Sequence, residues 1–371
     1  MRRSQMLFSE NAPFESALSG FAEDIRAHPV PQPAPLPCDR WIARSVLQKA
    51  IRRAEPVLAQ RALANLFDHD RRATWRALVV IALEDVGIAN TEVLARVVAA
   101  QRARTWRAGV GGDWAVLAEL TRQMADSNHC QAACDLLLRA TNDTALQRAR
   151  ADALEMDIGS LIATMADSAQ PMVMRGLSAL AAGGGLIEGH VGREPVAIFE
   201  TLAELCHFSP LVTICRDALR ISRNPMALLF PLILQEHATA DEPSIADDPM
   251  PPVQFISHIP GYALDQFTRR GNAVSRAVLA ESGELTDLLT GAGFRTGEHA
   301  SAVGDLIFLR EGGNIRNRMV WPVGDQLRLP YRWLPAVPRL GSNLAQALRL
   351  IEAQGSQIEN LRHGHLTTGS R

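Results

Sequence analysis

Between residues 39 and 237 the apolar side chains recur three and four positions apart. The pattern runs through WIARSVLQKAIRRA (41–54), ATWRALVVIALEDVG (73–87), TEVLARVVAAQRA (91–103) and DWAVLAELTRQMA (113–125). It continues through CQAACDLLLRA (130–140), PVAIFETLAELC (195–206) and MALLFPLILQEH (226–237). That period belongs to helices burying one stripe. Short loops carrying Gly, Asn, Asp or Pro separate them, and alternating strand patterns are almost absent. Asp39 is placed to cap the first helix, which ends before Pro56.

The flanks differ. HPVPQPAPLPC (28–38) is Pro-rich and extended, and ATADEPSIADDPMPP (238–252) is acidic and reads as a linker or exposed loop. VGDLIFLREGGNIRNRMVWPV (303–323) reads as a hairpin turning at Gly312-Gly313, and SNLAQALRLIEAQGSQIENL (342–361) as a last helix before a disordered tail. The expected organisation is an N-terminal segment (1–38), a helical body (39–237), a linker (238–252), a small α+β unit (253–345) and a C-terminal helix with its tail (346–371). The fold class is mainly α, a multi-helix bundle with a small β-hairpin element near the C-terminus.

Composition narrows the classes. The chain has 371 residues, 47% hydrophobic and 21% charged, with a formal charge of −2, so it can build a core and is not basic overall. Of its 38 cationic residues only Lys49 is a lysine, leaving one side-chain amine in the whole molecule. No apolar run is long enough to span a membrane, and MRRSQMLFSENAPFES has no secretory h-region. The five cysteines (38, 130, 134, 206 and 215) then read as reduced thiols of a cytoplasmic protein. Cys130 and Cys134 lack a second pair for zinc, and the histidines form no metal array, so neither metal nor cofactor is expected.

Charge is uneven in position. Residues 39–76 hold nine cations against Asp39, Glu55, Asp68 and Asp70, a surplus of +5. On a helix Lys49, Arg52 and Arg53 share one face, either a grip for a phosphate backbone or a solvated, ion-paired face. Glu84 and Asp85 interrupt the most apolar helix. A carboxylate there is either the partner of an arginine or a catalytic acid.

LQKAIRRAEPVLAQRALANLF (47–67), WRALVVIALEDVGIANTEVLARVVAAQ (75–101) and SNHCQAACDLLL (127–138) resemble the C-terminal region of the replication-associated recombination protein A family, clamp-loader-type AAA+ ATPases. In that family a lysine-bearing helix precedes one ending in a Ser-Glu-Asp-(Ile/Val)-Gly-like motif. Here Leu83 replaces the serine, while Glu84, Asp85 and Gly87 match. The resemblance covers about residues 44–140 and implies a helical, collar-like body that forms homo-oligomers and works beside DNA. The P-loop is missing, so the ATPase engine is not implied.

Outside that stretch, Tyr262, Asp265, Thr268 and Arg269 would share a helical face, with Arg270 adjoining. A carboxylate, a hydroxyl, a guanidinium and an aromatic could hold a flipped base and its phosphate; an Asp–Arg helix pair is the plainer alternative. Residues 310–339 carry Arg310, Arg316, Arg318, Arg328, Arg332 and Arg339 against Glu311 and Asp325, interleaved with Trp321, Tyr331 and Trp333. Arginine with aromatics clamps phosphates and stacks bases.

These features point to a DNA glycosylase excising a modified base and leaving an abasic site, a reaction that needs a carboxylate but no nucleotide or metal. In size, and in lacking an ATPase, the chain also resembles the stand-alone bacterial antiphage glycosylases that remove glucosylated cytosines. Asp265, Glu84 and Asp85 are the candidate carboxylates. Lys49, Arg52, Arg53, Arg269, Arg270, Arg316 and Arg318 are the candidate DNA contacts, and Tyr262 and Trp321 the stacking side chains. With Lys49 on a charged stripe, the expected enzyme is monofunctional. The competing class is a non-enzymatic collar-like DNA-binding module, which requires an apolar self-association face on 44–140 and no polar pocket. No membrane partner is expected.

Overall fold

The carboxylate of Asp39 accepts hydrogen bonds from the amides of Trp41 (2.9 Å) and Ile42 (3.1 Å), starting helix α1, Arg40–Arg52. The computed structural model describes residues 11–186, 196–205, 209–328, 331 and 334–367, and these are mainly helical with two small antiparallel strand pairs. Helices α2 (Pro56–His69) and α3 (Arg71–Ile81) follow, the latter capped by Asp70, whose carboxylate accepts from the Ala73 amide at 3.0 Å. Then come α4 (Thr91–Arg102), α5 (Gly112–Asp126) and α6 (Ala132–Asn142). Helix α7, Met226–Ala238, is apolar on all sides and buried from Met226 to Leu234, as a helix at the centre of a bundle must be.

α3 does not end where its apolar pattern ends. It widens into a π-helical turn over Ala82–Val86 and stops at Gly87, whose φ is +56°. A Cβ on Gly87 would lie 1.9 Å from the Cys130 carbonyl oxygen, and the Cys130 amide donates to the carbonyls of Asp85 (3.0 Å) and Val86 (3.1 Å). Glycine is required there by both conformation and space. The loop before α6 is thereby held against the Glu84-Asp85 turn.

The expected hairpin over 303–323 is not formed. Residues His299–Ile307 are helix α8, which also widens into a π-helical turn, Phe308–Gly312. Val303, Leu306, Ile307 and Phe308 are buried, and their spacing suits a helix face as well as a strand, an ambiguity inherent in short apolar runs. The strand that does form here, Arg318–Val320, pairs with Ser244–Ala246, and a small hairpin joins Phe255–Ile256 to Ile259–Pro260.

Ser244–Ala246 belongs to the segment read as a linker, and that segment is a pinned strap. Asp248 accepts from the Ile315 amide (2.9 Å), Arg318 (3.0 Å) and Arg328 (2.6 Å), and Asp247 from the Asn317 amide (2.8 Å). Beyond it, Val274 to Ile358 build a second hydrophobic core beside the one of the body. The expected tail is also structured in part. Gly355–Thr367 is a helix, and Arg362 is fully buried there, bonded to Glu311 and Glu359.

Candidate active site

The body and the C-terminal unit enclose a cavity of about 700 Å³. One wall is α1, contributing Trp41, Arg44, Ser45, Gln48, Lys49 and Arg52. Beside it are Glu84 of the first π turn, Gln131, and Cys134 and Asp135 of α6. Gln266, Phe267, Asp305 and Phe308 come from the C-terminal unit. Sequence-distant segments thus meet on one space, a common origin of ligand sites.

The Lys49-Arg52-Arg53 face is not a solvated grip. The three side chains are about 95% buried, so the +5 surplus over 39–76 is not a continuous surface stripe. Lys49 Nζ lies 2.8 Å from Asp265 Oδ2 and donates to Ser45 Oγ at 2.6 Å. Ser45 in turn donates to the Ala263 carbonyl at 2.8 Å. Burial pushes the Lys49 ammonium below the usual lysine range, and the Asp265 charge opposes that.

One turn along α1, Arg52 spans the two π turns. Its Nε lies 2.6 Å from Asp85 Oδ1, its Nη1 donates to the Gly312 carbonyl at 3.1 Å, and its Nη2 lies 3.5 Å from Glu84. Gln48 (3.0 Å) and Gln131 (2.8 Å) donate to the remaining acceptor positions of Asp85. Asp85 is fully buried and all its bonds are internal, so of its two readings the structure fits the arginine partner. Glu84 does line the cavity, and burial with the adjacent Asp85 charge pushes its carboxyl up to about 7. Asp305, which also lines the cavity, is raised to about 6 by burial.

Asp265 occupies a different local structure from the one expected. Tyr262 sits in a 3₁₀ turn, Gly261–Ala263, and the helix begins only at Arg269, capped by Thr268, which accepts from the Gly271 amide at 3.0 Å. No helical face unites Tyr262, Asp265 and Arg269. A Cβ on Gly271 would lie 1.9 Å from the Asp265 carbonyl oxygen, so the glycine lets this turn fold down over α1. The Asp265 carboxylate, 1% exposed, stands behind Lys49 in the wall.

Both expected stacking residues are core residues. Tyr262 lies under Arg53 (4.4 Å to the ring centroid) and donates to Glu55, while Trp321 is buried edge-on to His237. Neither offers a face to a base. Arg318 is bound by Asp248 and Asp325, so it is a strap residue rather than a free cation. Arg269 and Arg316 are exposed, and Arg270 lies 4.0 Å from Asp39. Cys206, Arg332 and Trp333 fall outside the described residues.

Two aromatics went unnoticed in the sequence. Trp41 is 58% and Phe267 66% exposed, yet both line the cavity. Arg40 lies over the Trp41 ring at 4.8 Å, and Phe267 meets Phe308 edge-on. Their signal was positional: a Trp two residues after a helix cap, and a Phe two residues after Asp265 outside any apolar period. No protein-family model, curated protein or solved structure matches the chain. Among the described residues no helix is long and apolar enough to cross a membrane.

Proposed function

We propose that the chain is a DNA glycosylase whose cavity receives a modified base extruded from the duplex. The observation that carries this reading is the meeting of Glu84 and the chain's only lysine on the walls of one cavity, with two exposed aromatics at its edge. A cavity of about 700 Å³ lies within the size range of small-ligand sites, with room for a base that carries an added group. Trp41 and Phe267 supply stacking surface, and the exposed Arg40, Arg44 and Arg269, close to them along the chain, supply phosphate contacts.

Glu84 is the acid. With its carboxyl near 7 it holds a proton in a useful fraction of molecules at neutral pH, the condition for general acid catalysis. It protonates the departing base as the N-glycosidic bond breaks and the bonding pair leaves with the base. The sugar, left with oxocarbenium character, is then captured by a nucleophile.

The collar-like module is the weaker reading. It needs an apolar self-association face on 44–140 and no polar pocket, whereas among the described residues the only large hydrophobic exposed there is Val57. The same helices contribute Gln48, Lys49, Glu84 and Gln131 to the cavity.

The test is incubation of duplexes carrying unmodified or glucosylated cytosine with the protein, without ATP or metal, followed by mild alkali. Alkali-labile breaks in the modified duplex that vanish with Glu84→Gln are expected. Retention of DNA in a gel shift with no breaks in any substrate overturns the reading in favour of the binding module.

A further inference from the structure

We propose that Lys49 is a nucleophile that forms an imine with the C1′ aldehyde carbon of an abasic deoxyribose, making the excision a covalent one. The inference rests on the glycosylase reading for its substrate class, and it replaces the monofunctional enzyme expected from the sequence, since Lys49 is buried at the cavity and not on a solvated stripe. It stands on geometry: among 38 cationic side chains a single lysine exists, it lines the cavity, and it is 5% exposed. An arginine would serve a static ion pair with Asp265 equally well, as Arg52 does with Asp85 2.6 Å away. A guanidinium cannot lose its proton to become a nucleophile; an amine can.

The neighbours supply the proton path. Asp265 Oδ2, 2.8 Å from Nζ, takes a proton from the ammonium and frees the nitrogen lone pair. Burial eases that loss by disfavouring the charged amine. Ser45 Oγ, held by the Ala263 carbonyl, keeps Nζ in place at 2.6 Å.

The nitrogen then bonds to C1′ as the bond to the base breaks, and the base leaves with the electron pair and a proton from Glu84. A proton passes from nitrogen to O4′, the C1′–O4′ bond opens, and the carbon–nitrogen double bond forms. Water reverses the imine to amine and aldehyde. Alternatively, loss of a C2′ proton expels the 3′ phosphate and cuts the strand, and no electrons are gained or lost overall.

The test uses the full chain with a duplex bearing a preformed abasic site, in the presence of sodium cyanoborohydride, which reduces an imine to a stable amine. The adduct is mapped by mass spectrometry after trypsin. Modification blocks cleavage at Lys49, so the expected product is the DNA remnant on the uncut peptide Ser45–Arg52. Lys49→Arg, with folding checked by circular dichroism, is expected to abolish the adduct. Mapping on the unaltered protein needs no variant to fold. The excision assay on glucosylated DNA runs in parallel. Alkali-labile sites formed without any adduct on Ser45–Arg52 overturn the Lys49 proposal and leave the glycosylase reading intact. An adduct at Lys49 with no excision from any duplex overturns the glycosylase reading and supports Lys49 as an aldehyde-reactive amine.

Discussion

Arg52→Met tests whether the two π turns are held together by one guanidinium. Arg52 is 4% exposed and meets Asp85 at 2.6 Å, the Gly312 carbonyl at 3.1 Å and Glu84 at 3.5 Å. The methionine retains the aliphatic stem and loses all three. Asp85, fully buried, then keeps only the neutral amides of Gln48 and Gln131. Removing one member of a buried ion pair costs about 3–5 kcal/mol, and the orphaned carbonyl adds about 1–3 kcal/mol. These overlap, since the structure relaxes around both, and a loss near 4 kcal/mol is expected. Asp85→Leu alone strands the guanidinium and should cost about 3 kcal/mol by the same logic. The double variant leaves neither Asp85 nor Arg52 without its partner, so it should recover ~2 kcal/mol relative to the sum of the singles. The measurement is urea unfolding of all four proteins by circular dichroism and tryptophan fluorescence, with coincident transitions required before free energies are compared. If the single losses add to within ~0.5 kcal/mol of the double, the pair is not coupled and the bridging role of Arg52 is wrong.

Four further outcomes follow from named contacts. Burial raises the Asp305 carboxyl from 3.8 to about 6, so its contribution to stability is complete below pH 3.8 and lost as pH rises through 6. Asp305→Asn should remove a pH-dependent loss of about 3 kcal/mol, read as the change in unfolding midpoint between pH 4 and pH 7; equal slopes for both proteins would refute it. With Glu84 near 7, base release should decline as pH rises through that value, and Glu84→Gln should flatten the profile as well as lower it. Gly87→Ala must adopt a φ of +56° and place a methyl 1.9 Å from the Cys130 oxygen. It should lose about 1–3 kcal/mol for the backbone alone, more than an alanine at the unhindered Gly109, in thermal unfolding. Asp248→Ala releases Arg318, Arg328 and the Ile315 amide and should expose the 238–252 strap to limited proteolysis.

Much of the helical body was legible because its evidence is local. The Asp39 cap, the three-and-four spacing and the helix end before Pro56 are each read within a few residues, and the structure has all three. The site was half legible. Glu84, Asp85, Lys49 and Asp265 stood out as charges in apolar surroundings or dense polar clusters; Glu84 and Lys49 line the cavity, and Asp85 and Asp265 are buried behind its lining. Their relations were not readable. The Lys49-Arg52-Arg53 face looks solvated until Asp265, the Gly312 carbonyl and the Glu311 carbonyl, which accepts from Arg53 at 3.3 Å, are laid over it from the far end of the chain. Tyr262 and Trp321 were misjudged for the same reason, since an aromatic near arginines looks alike in sequence whether it stacks on a base or under Arg53. Trp41 and Phe267 carry a position but no period, because an exposed aromatic leaves no periodic trace.

The π turns change what kind of mutation could make or unmake this site. A π turn holds one residue more than the α-helical path it replaces, and each helical residue rotates the chain by about 100°. Glu84 reaches the cavity, and Asp85 reaches Arg52, from within such a turn, Ala82–Val86. Deleting Leu83 would let the helix close up in its ordinary geometry and swing the carboxylates around the axis, with every cavity side chain still encoded. The site is therefore sensitive to chain length as well as to residue identity. A complete substitution scan would miss that sensitivity, and a single-codon deletion scan through 82–86 and 308–312 would find it.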